Sequence, residues 1–86
     1  MLFHVTEHYR QGPELVYRRF RERGRITPEG VEYVASWVTN DLMRCFQVME
    51  AESRAALDEW MGRWSDLVDF EVVEVITSAE ASGRVP

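Results

Sequence analysis

Residues 31–39, VEYVASWVT, and 68–77, VDFEVVEVIT, carry large apolar side chains on both phases of an extended chain: Tyr33 and Trp37 alternate with Val34 and Val38, and Phe70 and Val72 with Val73 and Val75. Successive side chains of a strand point to opposite faces, so strands of this kind belong to a sheet covered on both sides. A chain of 86 residues has little to cover it with. Domains this short bury a smaller share of their surface than larger ones and usually lean on disulfides, a metal or a partner subunit. The single cysteine, Cys45, excludes an internal disulfide. A second subunit is the natural remaining cover.

The other elements follow from local pattern. Residues 2–10, LFHVTEHYR, alternate as a strand, with Phe3, Val5 and Tyr9 on one side and Leu2, His4, Thr6 and His8 on the other. Gly12-Pro13 ends it, and Pro13 suits the first turn of a helix that carries Leu15, Val16 and Phe20 on its apolar stripe and stops near Arg23 and Gly24. Strand two, 31–39, and strand three, 43–51, flank an Asn40-Asp41 turn and pair as antiparallel neighbours. Ser53 is an N-cap for a helix over 53–65 whose Leu57, Trp60, Met61 and Trp64 recur at the spacing of one buried face. Strand four spans 68–77. The order strand, helix, strand, twice over, predicts an α+β, ferredoxin-like βαββαβ domain over residues 1–78, with residues 79–86 as a polar tail. Right-handed crossovers set both helices on one face of a four-stranded antiparallel sheet.

One face of that sheet is then bare. The alternation places Phe3, Val5, Val34, Val38, Phe46 and Val48 toward the helices. The opposite phase then holds His4, Thr6, Tyr33, Ala35, Trp37, Cys45, Gln47 and Met49, a set too apolar to face water. A second copy is the simplest cover, because a twofold interface needs one self-complementary surface. The expected assembly is a homodimer with facing sheets, a dimeric α/β barrel.

Charge narrows the partners. The net charge of −5 argues against nucleic acid or an anionic membrane. The third strand, RCFQVMEAE, also lacks the glycines of the RNA-recognition sheet of similar topology, which stacks bases on a glycine- and basic-rich third strand, and it ends acidic. The ten basic residues are all arginines, and Arg10, Arg18, Arg19, Arg21, Arg23 and Arg25 cluster before residue 26. They form either an anion-docking patch or a solvated helix face supported by Glu14–Arg18 and Arg18–Glu22 pairs at i,i+4. The first ten residues, with His4, Glu7, His8 and Arg10, do not read as a signal peptide, and no apolar run reaches the roughly 20 residues of a membrane span. A cytoplasmic protein is expected.

Polar groups on an apolar sheet face are what a ligand pocket requires. His4, Thr6, Tyr33, Trp37, Gln47 and Met49 are the candidate ligand-binding residues, with His4 and Gln47 placed to approach one another from neighbouring strands. His4 is the candidate acid–base group, with Glu50 or Glu71 as a carboxylate partner. Cys45, with no thiolate-stabilising neighbour evident, reads as a small buried hydrophobe, and Trp60 and Trp64 as helix-to-sheet packing. His4 and His8 share a face of strand one but lack a third ligand at a recognisable spacing, so no metal is assigned, and no cofactor.

The stretches RGRITPEGVEYVASWV, RCFQVMEAE and WMGRWSDLVDFEVVEVITSAEA resemble a small bacterial family known as domain of unknown function 3303. The resemblance runs from Met1 to about Ala81 and implies a βαββαβ core of the dimeric α/β-barrel type, with no established activity. The function expected is a homodimer that holds a small, mostly apolar or aromatic ligand between facing sheets. The alternatives are a cofactor-independent monooxygenase- or isomerase-like enzyme on the same barrel, and a regulatory module that docks partners through the arginine-rich helix.

Overall fold

The computed structural model describes residues 1–86 as strand β1 (Leu2–Tyr9), helix α1 (Pro13–Arg23), strands β2 (Val31–Val38) and β3 (Arg44–Ala51), helix α2 (Arg54–Gly62), strand β4 (Val68–Val75) and a short helix α3 (Ser78–Arg84). The sheet is antiparallel throughout, in the order β2-β3-β1-β4, which is the ferredoxin-like arrangement expected. Local chemistry sets the boundaries. Pro13 opens α1, and Gly24, at φ 68°, closes it with its N–H on the Phe20 carbonyl. Only a residue free of a Cβ takes that conformation without cost. The Ser53 side chain caps α2 by accepting from the Ala56 N–H at 3.1 Å.

Leu57, Trp60 and Met61 of α2, with Trp64 in the turn beyond it, are all buried, as their spacing requires. They pack with Val16 of α1 on Phe3, Val5 and Tyr9 of β1 and on Cys45, Met49 and Ala51 of β3. The phase of β3 is therefore the reverse of the one assigned. Cys45, Gln47 and Met49 face the helices, while Phe46 and Val48 face away, opposite Thr6 and His4 of β1. Both phases of β3 are apolar, so alternation alone does not choose between them. Pairing with β1 does, because a one-residue slip would turn every side chain over.

Strand β2 changes phase within its length. A bulge between Tyr33 and Ala35 leaves Val34 unpaired, so Val31 and Tyr33 before it, and Ser36 and Val38 after it, share the helix side, while Ala35 and Trp37 oppose Val48 and Phe46 on the other. Tyr33 thus leaves the open face, and Val34, assigned to the helices, is half exposed. The tail is also more ordered than a polar segment suggests. Residues 78–84 form a helix capped by the Thr77 hydroxyl, which accepts from the Glu80 N–H, yet it buries no residue.

Only 16 of the 86 residues are buried, so the core that decides stability is small. Leu57 lies at its centre, fully buried. Leu57→Ala is expected to lower the unfolding free energy by about 2–5 kcal/mol in urea titrations, a loss large enough to leave so small a domain partly unfolded.

Candidate functional site

Strand alternation sends Glu7 to the same side as Phe3, Val5 and Tyr9, and so into the space beneath the helices. Glu7, 8% exposed, and Gln47, 4% exposed, are the two buried polar or charged residues of the domain. Val5 pairs with Gln47 and Glu7 with Cys45, which makes Glu7 and Gln47 diagonal neighbours on one face. The Gln47 Nε2 donates to Glu7 Oε2 at 2.9 Å, and its Oε1 accepts from Arg25 Nε at 3.4 Å. A carboxylate only accepts and a guanidinium only donates, so the amide can point in just one direction. Glu7 Oε1 makes no hydrogen bond within the protein and is not sealed from the cleft.

Arg25 comes from the loop after α1 and is held along its whole length. Its carbonyl accepts from both indole N–H groups of the α2 segment, Trp60 at 3.0 Å and Trp64 at 2.8 Å, and Arg63 Nη1 donates to the next carbonyl, that of Ile26, at 3.0 Å. Its guanidinium lies 3.5 Å from the Tyr33 ring centroid and 5.2 Å from that of Phe20. Ile26 itself sits at φ 57°, a region that a β-branched residue occupies at a cost of about 1–3 kcal/mol. The three donors, Trp60 of α2 and Arg63 and Trp64 of the turn beyond it, hold that strained turn in place.

Together these groups border a cleft of about 110 Å³ between α1, the α2 segment and the sheet, open to solvent on one side. Val16, Tyr17, Phe20, Val38, Trp60 and Trp64 make its walls mainly apolar and aromatic. A sealed cavity of about 150 Å³ holds a benzene molecule, so this space suits a single ring or a short planar fragment projecting from the mouth. Burial raises the Glu7 carboxyl from its ordinary 4.5 to about 7, against a smaller opposing pull from Arg25. Burial and then the Glu7 charge push the Cys45 thiol up to about 11, and burial likewise raises the Tyr9 phenol. The cleft therefore offers one carboxyl poised near neutrality, one fixed cation, and no activated nucleophile. No three or more His, Cys, Asp or Glu side chains converge as a metal site would need.

The six residues singled out as ligand-binding do not form one site. His4, Thr6 and Trp37 lie on the open sheet face, whereas Tyr33, Gln47 and Met49 lie on the helix side. His4 and Gln47 cannot meet, since they project from opposite faces. His4 stacks on Phe46 with centroids 6.2 Å apart. Of its expected carboxylate partners, Glu50 binds the N-terminal ammonium at 2.7 Å and Glu71 lies 3.6 Å from His8 Nε2. Glu7 and Arg25 were not singled out, although a carboxylate in phase with Phe3, Val5 and Tyr9 was visible in the alternation. Nothing in the local sequence marks Arg25.

Half of the N-terminal arginine cluster is consumed inside the domain. Arg10 bonds Asp69 and the carbonyls of Ser65 and Asp66, Arg19 grips Asp66 through both Nη atoms, and Arg25 enters the cleft. Arg18, Arg21 and Arg23 remain exposed, and the Glu14–Arg18 and Arg18–Glu22 pairs do not close.

Residues 1–85 match the family described as Domain of unknown function (DUF3303). The fold is similar to that in a crystal structure of protein Atu4242 from Agrobacterium tumefaciens, with a TM-score of 0.53 at 12% identity, covering 91% of this chain and 96% of that one. Likeness at that identity speaks for the fold alone. No curated protein matches the chain.

The buried carboxyl has a consequence for stability. Between the unfolded value near 4.5 and the folded value of about 7, the native state holds the proton that the unfolded chain has lost. The Glu7 contribution is thus fully present below about 4.5, falls as pH rises through that window and is constant above it, by up to ~3 kcal/mol at about 1.4 kcal/mol per unit. Glu7→Gln should flatten the slope of unfolding free energy between pH 5 and roughly 7.5, measured by denaturant titration. An unchanged slope would assign the window to other groups.

Proposed function

This chain belongs to the DUF3303 family, whose description states no activity, and we propose that it is a homodimeric module that binds a small, largely apolar or aromatic ligand in the cleft around Glu7, Gln47 and Arg25. The observation that carries the reading is the hydrogen-bonded chain Arg25–Gln47–Glu7 set into apolar and aromatic walls. Buried polar groups are costly even when hydrogen bonds offset part of the loss, and a few oriented polar atoms among greasy walls are how small-molecule sites obtain specificity. A core built for packing alone would place an apolar side chain at residue 7. Under this reading the ligand sits behind the sheet, and His4, Thr6 and Trp37 serve the subunit contact.

A second copy is proposed as the cover of the open sheet face. Trp37, 60% exposed, and Val73, 59% exposed, flank a surface that also carries Phe46 and Val48. Its charges are self-complementary. Glu32 and Glu50 stand at one end of the β2–β3 pair and Arg44 at the other. A twofold copy laid on with its β3 reversed sets Arg44 against the partner's acidic end. Each apolar side chain so covered contributes roughly 1.5–3 kcal/mol of transfer free energy.

Two measurements test these readings separately. Native mass spectrometry of protein purified from its own host should report two subunits and any retained ligand. Titration with single-ring compounds should shift the indole N–H resonances of Trp60 and Trp64, and Val38→Trp, which plugs the cleft mouth, should abolish those shifts. Indole resonances that no ring compound moves would end the binding reading. Trp37→Asp should convert the dimer to monomers in sedimentation experiments; a wild-type protein that sediments as a monomer at micromolar concentration would end the dimer reading.

A further inference from the structure

Resting on the ligand-binding reading above, we propose that the cleft is a proton-transfer site, in which the Glu7 carboxylate removes a proton from the carbon beside the carbonyl of a small uncharged ring ketone while the Arg25 guanidinium holds the developing enolate oxygen. Three geometric observations support it. Gln47 occupies Glu7 Oε2 and leaves Oε1, the second basic atom, free toward the cleft. Arg25 spends Nε on Gln47, while its terminal Nη groups make no hydrogen bond within the protein and remain available as donors. Both side chains are fixed beforehand, Glu7 by an amide that can point only one way and Arg25 by its aromatic rings and by the two indoles on its carbonyl. Donors already aimed where negative charge develops need no reorganisation during reaction.

The pairing of groups selects the substrate class. A carboxylate ligand would be repelled by ionised Glu7, and an ammonium ligand by Arg25. A neutral molecule that yields a proton to the one and gathers negative charge on an oxygen beside the other suits both. The limited volume and the walls of Phe20, Val38, Trp60 and Trp64 favour one ring. In a β,γ-unsaturated ketone the C–H electron pair becomes the new C=C bond as the carbonyl π pair moves onto oxygen, and Glu7 becomes the carboxylic acid. Return of that proton to the γ carbon restores the C=O and the carboxylate. Substrate and product are isomers, so no oxidant or co-reactant enters. A carboxyl that titrates at about 7 is populated in both forms at neutral pH, as a group that takes and returns one proton must be.

The probe is 3-cyclohexen-1-one, whose conversion to the conjugated 2-enone is followed by ultraviolet absorbance, with Trp60 and Trp64 indole resonances reporting binding in the same samples. Wild-type protein should bind and isomerise it, with a rate that rises with pH through about 7 to a plateau. Glu7→Gln should keep the indole shifts and lose on the order of 100-fold or more in rate, and Arg25→Met should lose rate while its pH midpoint rises, because the Arg25 charge holds the Glu7 pKa down. Shifted indoles with turnover no faster than that of Glu7→Gln would overturn proton transfer and leave ligand binding standing. Absence of both shifts and turnover at saturating ketone would overturn the two together. Should Glu7→Gln fail to fold by circular dichroism, the wild-type pH profile decides: a flat profile between pH 5 and 9 overturns the role of Glu7.

Discussion

The pairing of β1 with β3 at the centre of the sheet is the constraint on which the rest depends. It couples Phe3 to Met49, Val5 to Gln47 and Glu7 to Cys45 on one face, and His4 to Val48 and Thr6 to Phe46 on the other. Register in a sheet is all or nothing, because the side-chain period is two. The same ladder that buries Met49 therefore also buries Gln47, and with it a carboxylate that costs free energy to hide. The hydrogen bond between Glu7 and Gln47 offsets part of that cost. The remainder appears as the raised affinity of Glu7 for its proton.

Around that pair, parts distant in the chain are drawn in by directional contacts. The bulge at Val34 turns β2 so that Tyr33 and Ser36 share a side, joined by a 2.8 Å hydrogen bond between their hydroxyls. Bulges of this kind re-aim side chains at the cost of one unpaired residue. Tyr33 then supplies one face for Arg25. Trp60 and Trp64 act twice, burying their rings in the core and donating both N–H groups to the Arg25 carbonyl. Their spacing on a helix would follow from packing alone, but their hydrogen bonds tie the core to the strained turn at Ile26. Stability and site geometry are consequently shared by the same residues, and a substitution at either tryptophan acts on both.

The opposite face obeys a simpler rule. With two helices covering one side, Phe46, Val48, Trp37 and Val73 are left to a surface that no segment of the chain reaches, and α3, which buries nothing, does not change this. Large contiguous apolar surfaces on small domains mark association sites. The pair at its margin, His8 facing Glu71 at 3.6 Å with side chains 38% and 73% exposed, is open to solvent screening and contributes little to stability on its own.

Periodicity, caps and turn residues determined the four strands, the two longer helices, their order and the ferredoxin-like topology, because these depend on neighbours within a few positions: Pro13 and Gly24 bound α1, Ser53 begins α2, and Leu57 to Trp64 trace one helical stripe. The existence of a greasy second face was equally legible, since too many apolar side chains occupy both phases for two helices to cover. Which phase of β3 lies inside was decided by tertiary structure, because Cys45, Gln47 and Met49 are no more apolar than Phe46 and Val48 and only partner strands distinguish them. For the same reason the six residues grouped from the sequence fall on two faces, while Glu7 and Arg25, eighteen positions apart, meet through Gln47. A site made by register, a bulge and a side chain reaching in from a loop has no local signature; it exists only once the strands are paired.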